Sequence, residues 1–173
     1  CIHDGDIVVW DSMAIAGHLA ERHPEMWPAD PAARAWARSI SAEMHAGFAA
    51  LRSEMAMCIR ERVDVRPWSK ALDADIGRVV RIWDESRRRF GAGGAFLCGR
   101  FSIADCFYGP VAFRFRTYGV LVDGVAHAAR ILQNRAETVD AGRTGGEARL
   151  LPPLVADRVV PRGEIARDAH HEK

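Results

Sequence analysis

Two runs of apolar residues at helical spacing leave this chain little choice of fold. Trp36, Ile40, Met44, Phe48, Leu51 and Met55 recur at steps of three or four, and Leu72, Ile76, Val79, Val80 and Trp83 repeat the pattern farther on. Residues three and four apart share one face of an α-helix, so each run is an apolar stripe that has to be buried against another element. The first stripe predicts one continuous helix of about seven turns. The second predicts a helix that opens at Ser69 and closes with Arg87, Arg88 and Arg89, before Gly91, Gly93 and Gly94 terminate it. Three cations suit the negative end of a helix dipole, so they read as a solvated helix end rather than a phosphate site.

The helix starts are equally explicit. Asp30-Pro31 supplies an N-cap followed by proline at the first helical position. Ser102-Ile103-Ala104-Asp105 has the spacing of a capping box, with Asp in place of the usual Glu or Gln, and Phe107, Val111 and Phe115 continue a helical face. Pro110 falls inside that helix, where it removes a backbone donor and demands either a kink or a close neighbour. At the other end of the chain, Asp4-Gly5 stands between Cys1-Ile2-His3 and Ile7-Val8-Val9-Trp10, which predicts a β-hairpin. Two strands alone are marginal in water. Further strands of the sheet are therefore expected upstream, and Cys1, where an initiator Met would stand, is expected to mark a truncation. After Asp11 the period turns helical, with Ile15 and Leu19 four apart, and fades at His23-Pro24.

Past Tyr118 the character changes. All the aromatic residues lie between Trp10 and Tyr118. A short helix over 121–132, using Val122, Val125, Ala129 and Leu132, is still expected. Residues 133–173 mix Gly, Pro and alternating charges without a period and read as an irregular or disordered tail. His170 and His171 near its end lack a third ligand at suitable spacing, so no metal is expected.

Composition narrows the function classes. The 173 residues are 49% hydrophobic, enough for a core, and the formal net charge is +1. That balance offers no electrostatic reason for nucleic acid or an anionic membrane as a partner. No apolar run approaches the roughly 18 residues that span a bilayer, and the chain is expected to be cytoplasmic. Cys1, Cys58, Cys98 and Cys106 are scattered and are expected to be reduced and mostly buried, with Cys106 in the core.

One pair of residues invites chemistry. A helix N-terminus at Ser12 presents unpaired backbone N–H groups and a partial positive charge, which suits a carboxylate. Asp11 beside it suits an ammonium, so together the two match a zwitterion. Equally, either residue serves simply as an N-cap.

The stretch "DGDIVVWDSMAIAGHLAERHP" resembles the part of cytosolic glutathione transferases in which the last sheet strand leads to an acidic-Ser pair and the third helix of a thioredoxin-like domain. "AEMHAGFAALR" and "FSIADCFYGPVAFRFRTYGV" are similar to the fourth and sixth helices of that family's C-terminal domain, in its bacterial form. The implied fold is mainly α: a glutathione-transferase-like C-terminal helical bundle preceded by the last β-hairpin and helix of a thioredoxin-like domain. The implied organisation is a thioredoxin-like remnant over 1–23, a linker over 24–30, the all-helical domain over 31–132 and the tail over 133–173.

The resemblance implies glutathione as cosubstrate, with Ser12 and its amide on the γ-glutamyl carboxylate and Asp11 near the amino group. Met44, Phe48 and Arg114 fall on helices that line the pocket for a small hydrophobic electrophile. Met44 and Phe48 also suit core packing, and Arg114 suits either an anionic substrate or an ordinary exposed helix position. The Ser102/Asp105 box matches a folding motif of the family. Its thiol-activating Ser, Cys or Tyr has no counterpart in this sequence, so no catalytic residue is assigned and the chain alone is expected to be inactive. The complete protein is expected to be a homodimer that conjugates glutathione to electrophiles. The alternatives are a non-catalytic ligand-binding or dimerisation module, or a maleylacetoacetate-isomerase-like activity.

Overall fold

Gly5, at φ +61°, reverses the chain between strands β1 (Ile2–Asp4) and β2 (Ile7–Val9). These pair antiparallel, with Ile2 opposite Val9 and Asp4 opposite Ile7. In the computed structural model, which describes residues 1–63 and 67–120, five helices follow. They are α1 (Ser12–Arg22), α2 (Pro31–Ala46), α3 (Ala49–Glu54), α4 (Lys70–Phe90) and α5 (Ile103–Thr117). The protein is thus mainly helical, with a hairpin at its start. The expected helix over 121–132 and the segment 133–173, including His170 and His171, lie outside the described residues.

Four of the five α-helices, all but α3, start on the short polar side chain that precedes them. Asp11 caps α1, Asp30 accepts from the Ala33 N–H at 2.7 Å to cap α2, and Ser69 accepts from the Leu72 N–H at 3.0 Å to cap α4. Ser102 and Asp105 form the reciprocal box at α5. The hairpin is tied to α1 through Asp4, whose carboxylate receives Arg22 Nη2 at 2.6 Å and His18 Nε2 at 2.8 Å.

The core lies between α2, α4 and α5. Leu72, Val79 and Ile82 of α4 are fully buried against Ile40 and Met44 of α2 and Tyr108, Val111 and Phe115 of α5. Trp83 sits between two rings, 6.4 Å from Tyr108 and 5.4 Å from Phe115. Buried hydroxyls are satisfied across helices: Tyr108 donates to the Ile40 carbonyl at 3.1 Å, and Ser86 accepts from Trp36 Nε1 at 2.8 Å. At the rim, Arg78 makes a bidentate pair with Glu43, at 2.6 and 2.8 Å.

The stripe from Trp36 to Met55 is not one helix. It breaks after Ala46, because Gly47 closes α2 with its N–H on the Glu43 carbonyl and Phe48 turns left-handed at φ 61°, ψ 46°. A Cβ on Gly47 would stand 2.9 Å from that carbonyl oxygen, which explains the glycine. Arg52 then donates to the Gly47 and Met44 carbonyls, satisfying the end of α2 from α3. Met44, Phe48, Leu51 and Met55 are nevertheless all buried, so the apolar phase runs through the break.

The arginine cluster ending α4 is also more differentiated than a solvated helix end. Arg87 is half-buried and its Nη1 donates to the carbonyls of Gly94 and Phe96, holding the following loop. Arg89 pairs with Glu85 at 2.9 Å and lies over the Trp36 and Phe90 rings.

Candidate functional site

α5 has two apolar faces. Ala104, Tyr108, Val111, Ala112 and Phe115 point into the core. Ile103, Cys106, Phe107, Pro110 and Arg114, at steps of one, three and four, form the other face and one wall of a cleft of about 640 Å³. The opposite wall is the apolar side of α1, where Ile15, Ala16 and Leu19 face the opening. Its floor comes from Met44 and Leu51, and Met26 closes one side. Ser12, His45, Arg52 and Arg114 are its polar members.

Of the residues singled out in the sequence, Ser12, Met44 and Arg114 meet in this cleft. Phe48 does not. It is buried in the core at the start of α3, where its left-handed backbone turns the chain out of α2. Cys106, expected in the core, is exposed and lines the cleft. It lies two positions past Ala104, about 200° around the helix from the packed face. Cys1 is exposed as well, and only Cys58 and Cys98 are partly buried. Burial pushes the Cys98 thiol up to about 11, with the nearby Asp105 charge adding to it, which makes Cys98 a poor nucleophile. Arg114 is half-buried rather than an exposed helix arginine: its Nε donates to the Met55 carbonyl at 2.7 Å, fastening the chain beyond α3 to α5.

At the α1 end, Asp11 is the helix cap. Its Oδ1 accepts from the Met13 N–H at 3.0 Å and the Ala14 N–H at 3.2 Å. Two of the free N–H groups of the helix start are therefore already used, and the donors left to a ligand are the Ser12 hydroxyl and the Ser12 N–H. Asp11 Oδ2 is turned toward α2 and lies 3.2 Å from His45 Nε2. On the other side of that ring, Nδ1 is 3.5 Å from Ser12 Oγ. A serine hydroxyl both accepts and donates, so Ser12 Oγ can meet Nδ1 as an acceptor and keep its own proton for a ligand. Phe107 meets the His45 ring edge-on at 6.2 Å. His45 and Arg52 were missed in the sequence. The available signal was position, since each lies in the "AEMHAGFAALR" stretch one residue past a buried stripe member.

Hydrogen bonds from Ala14 and Met13, with His45 nearby, hold the Asp11 carboxyl below the usual carboxylate range. Arg78 does the same for Glu43. A carboxylate whose folded pKa is depressed stabilises the fold fully above its unfolded value, near pH 4, and loses that contribution as pH falls through the folded value. The thermal midpoint is therefore expected to fall on acidification below about pH 4. Asp11→Asn, which keeps a capping side chain without a titrating one, is expected to fall less steeply there. Midpoints followed by circular dichroism across the acid range check this; parallel curves for the two proteins would contradict it.

With that geometry in place, residues 69–140 match the family model described as "Glutathione S-transferase, C-terminal domain". Over these residues the chain carries a glutathione S-transferase C-terminal domain. The match begins at the Ser69 cap, spans α4 and α5, and runs on past the described residues. Arg114 and Cys106 lie within it, whereas Asp11, Ser12, Met44, His45, Phe48 and Arg52 lie outside it. A search of curated proteins found no match to this chain. Among the described residues, no helix is long and apolar enough to cross a membrane.

Proposed function

We propose that the cleft is where glutathione meets a small apolar electrophile, and that the chain acts as part of a glutathione transferase. The observation that carries this reading is that one cleft joins the open donors of the α1 start to an apolar wall on α5. Ser12 Oγ and the Ser12 N–H take the γ-glutamyl carboxylate, with the helix dipole adding to the attraction. Asp11 Oδ2, the oxygen not used in capping, takes the γ-glutamyl ammonium beside His45. The tripeptide then directs its thiol toward the apolar space between α1 and α5. There a bound electrophile is held at short range, which raises its effective concentration around the sulfur. The S–H bond breaks with its proton going to solvent, and the sulfur bonds the electrophilic carbon as a leaving group departs from that carbon with its bonding pair or, at an activated double bond, as the π pair moves to the neighbouring atom and takes a proton from solvent.

Calorimetric titration of the chain with glutathione tests the binding half of this reading. Ser12→Ala is expected to weaken binding about tenfold, the effect of losing one hydrogen bond to a charged group. Asp11→Asn preserves a capping side chain and is expected to weaken binding through the lost ammonium contact. Equal affinity in the wild type and both variants would remove the α1 start from the site.

A further inference from the structure

The polar members of the cleft are unbalanced in charge. Arg52 and Arg114 both line it, and no Asp or Glu does. Among the described residues neither guanidinium is in an ion pair. Each is anchored from behind by carbonyl groups. Arg52 donates through Nε to Gly47 and through Nη2 to Met44, and Arg114 donates through Nε to Met55 and through Nη1 to Pro110 at 3.5 Å. Anchored in this way, the two side chains have lost much of their rotational freedom before any ligand arrives. Arg52 Nη1 and Arg114 Nη2 donate no hydrogen bond among the described residues. The Arg114 pKa is lowered, by burial first and by the Arg52 charge second. Like charges held together beside Ile15, Leu19, Leu51 and Val111 are an unfavourable arrangement that an incoming anion would relieve.

We infer that the cleft selects a carboxylate carried on an apolar body, the carboxylate lying between Arg52 and Arg114 and the body lying along α1 and α5. This narrows the electrophile of the proposed function to anionic members of that class, and it rests on that reading for calling the occupant a substrate. A planar carboxylate suits the fork of a guanidinium, and the remaining N–H donors on both arginines suit its two oxygens.

Calorimetric titration of the full chain with para-butylbenzoate and with para-butylbenzamide separates charge from shape. The benzoate is expected to bind about tenfold more tightly, as a charge-assisted contact should. In Arg52→Gln/Arg114→Gln that advantage is expected to fall to within about twofold while the benzamide affinity holds, which shows that the cleft is still formed. Because Arg114 also fastens the chain at Met55, Arg52→Gln alone is a second variant, and it is expected to lose a large part of the preference. Raising the salt to about 0.5 M should weaken the benzoate and leave the benzamide unchanged. Equal affinity of the two compounds for the wild type, no binding of either, or a preference that survives in both variants would overturn the inference. Glutathione titration of the same protein keeps the two readings apart. Glutathione binding without a benzoate preference would sink this inference alone, and a benzoate preference without glutathione binding would sink the glutathione reading alone.

Discussion

Asp105→Ala is expected to destabilise the protein by about 3–5 kcal/mol, the sum of a lost helix cap and buried donors left without acceptors. Asp105 is 1% exposed and its carboxylate serves two segments at once. Oδ2 accepts from the Ser102 N–H at 2.9 Å and the Ser102 hydroxyl at 3.1 Å, closing the cap of α5. Oδ1 accepts from the Leu97 N–H at 2.9 Å, so the same side chain holds the loop between α4 and α5 against the helix that follows it. Alanine would leave the Leu97 and Ser102 amides buried without that acceptor, and each such amide costs about 1–3 kcal/mol. Asn in the same place retains one acceptor oxygen and turns an NH₂ toward a donor, so it is expected to recover only part of the loss. A loss of this size is a large share of the roughly 5–15 kcal/mol typical of a folded domain. Chemical denaturation followed by circular dichroism reads it directly, and a loss below about 1 kcal/mol would show that water or a shift of the loop replaces the carboxylate.

The features legible in the sequence are those carried by local chemistry. Asp11, Asp30, Ser69 and Ser102 each stand at a helix start because a short polar side chain can reach back to a free amide, and that reach is a property of two or three consecutive residues. The hairpin at Gly5 is local in the same sense. The break at Gly47 and Phe48 was not legible in the stripe, since the two non-helical residues leave Met44, Phe48, Leu51 and Met55 buried in the order a straight helix would give. The signal that competed with it was a glycine just after His45 and Ala46, a helix stop that the periodicity overrode.

The cleft was partly legible for a different reason. Ser12 stands at a helix start, and Met44 belongs to the long stripe. Cys106 was misplaced because α5 turns a second apolar face to the open cleft. A reading that seeks one buried face assigns every small apolar residue of such a helix to the core. His45 and Arg52 look like solvent-facing neighbours of the stripe until α1 and α5 are brought against them, and that approach depends on contacts between residues more than thirty positions apart.

The loop that Asp105 holds is expected to be as sensitive at Gly94. Gly94→Ala should destabilise the protein by about 3 kcal/mol, the upper part of the range for forcing an extra group into packed surroundings. A Cβ there would lie 2.0 Å from the Gly99 carbonyl oxygen, 2.5 Å from its carbon and 2.6 Å from the Gly99 Cα. All three are backbone atoms, so no side-chain rotation makes room. Moving them means moving Gly99, itself at φ +84°, in a segment where Phe96 and Gly99 exchange backbone hydrogen bonds and Arg87 grips the Gly94 and Phe96 carbonyls. Gly93 next to it isolates the other use of glycine. It has φ +74° and open space around its Cβ position, so Gly93→Ala meets only the left-handed penalty of about 1–2 kcal/mol. The order Gly94→Ala worse than Gly93→Ala is therefore the outcome to look for in denaturation midpoints, and the reverse order would place the strain in the backbone dihedral instead of the close approach. Because the 94–99 segment leans on Asp105 through Leu97, the combination of Gly94→Ala with Asp105→Ala is expected to lose less than the two single losses together. Once either change has released the loop, the contacts the other would break are already gone.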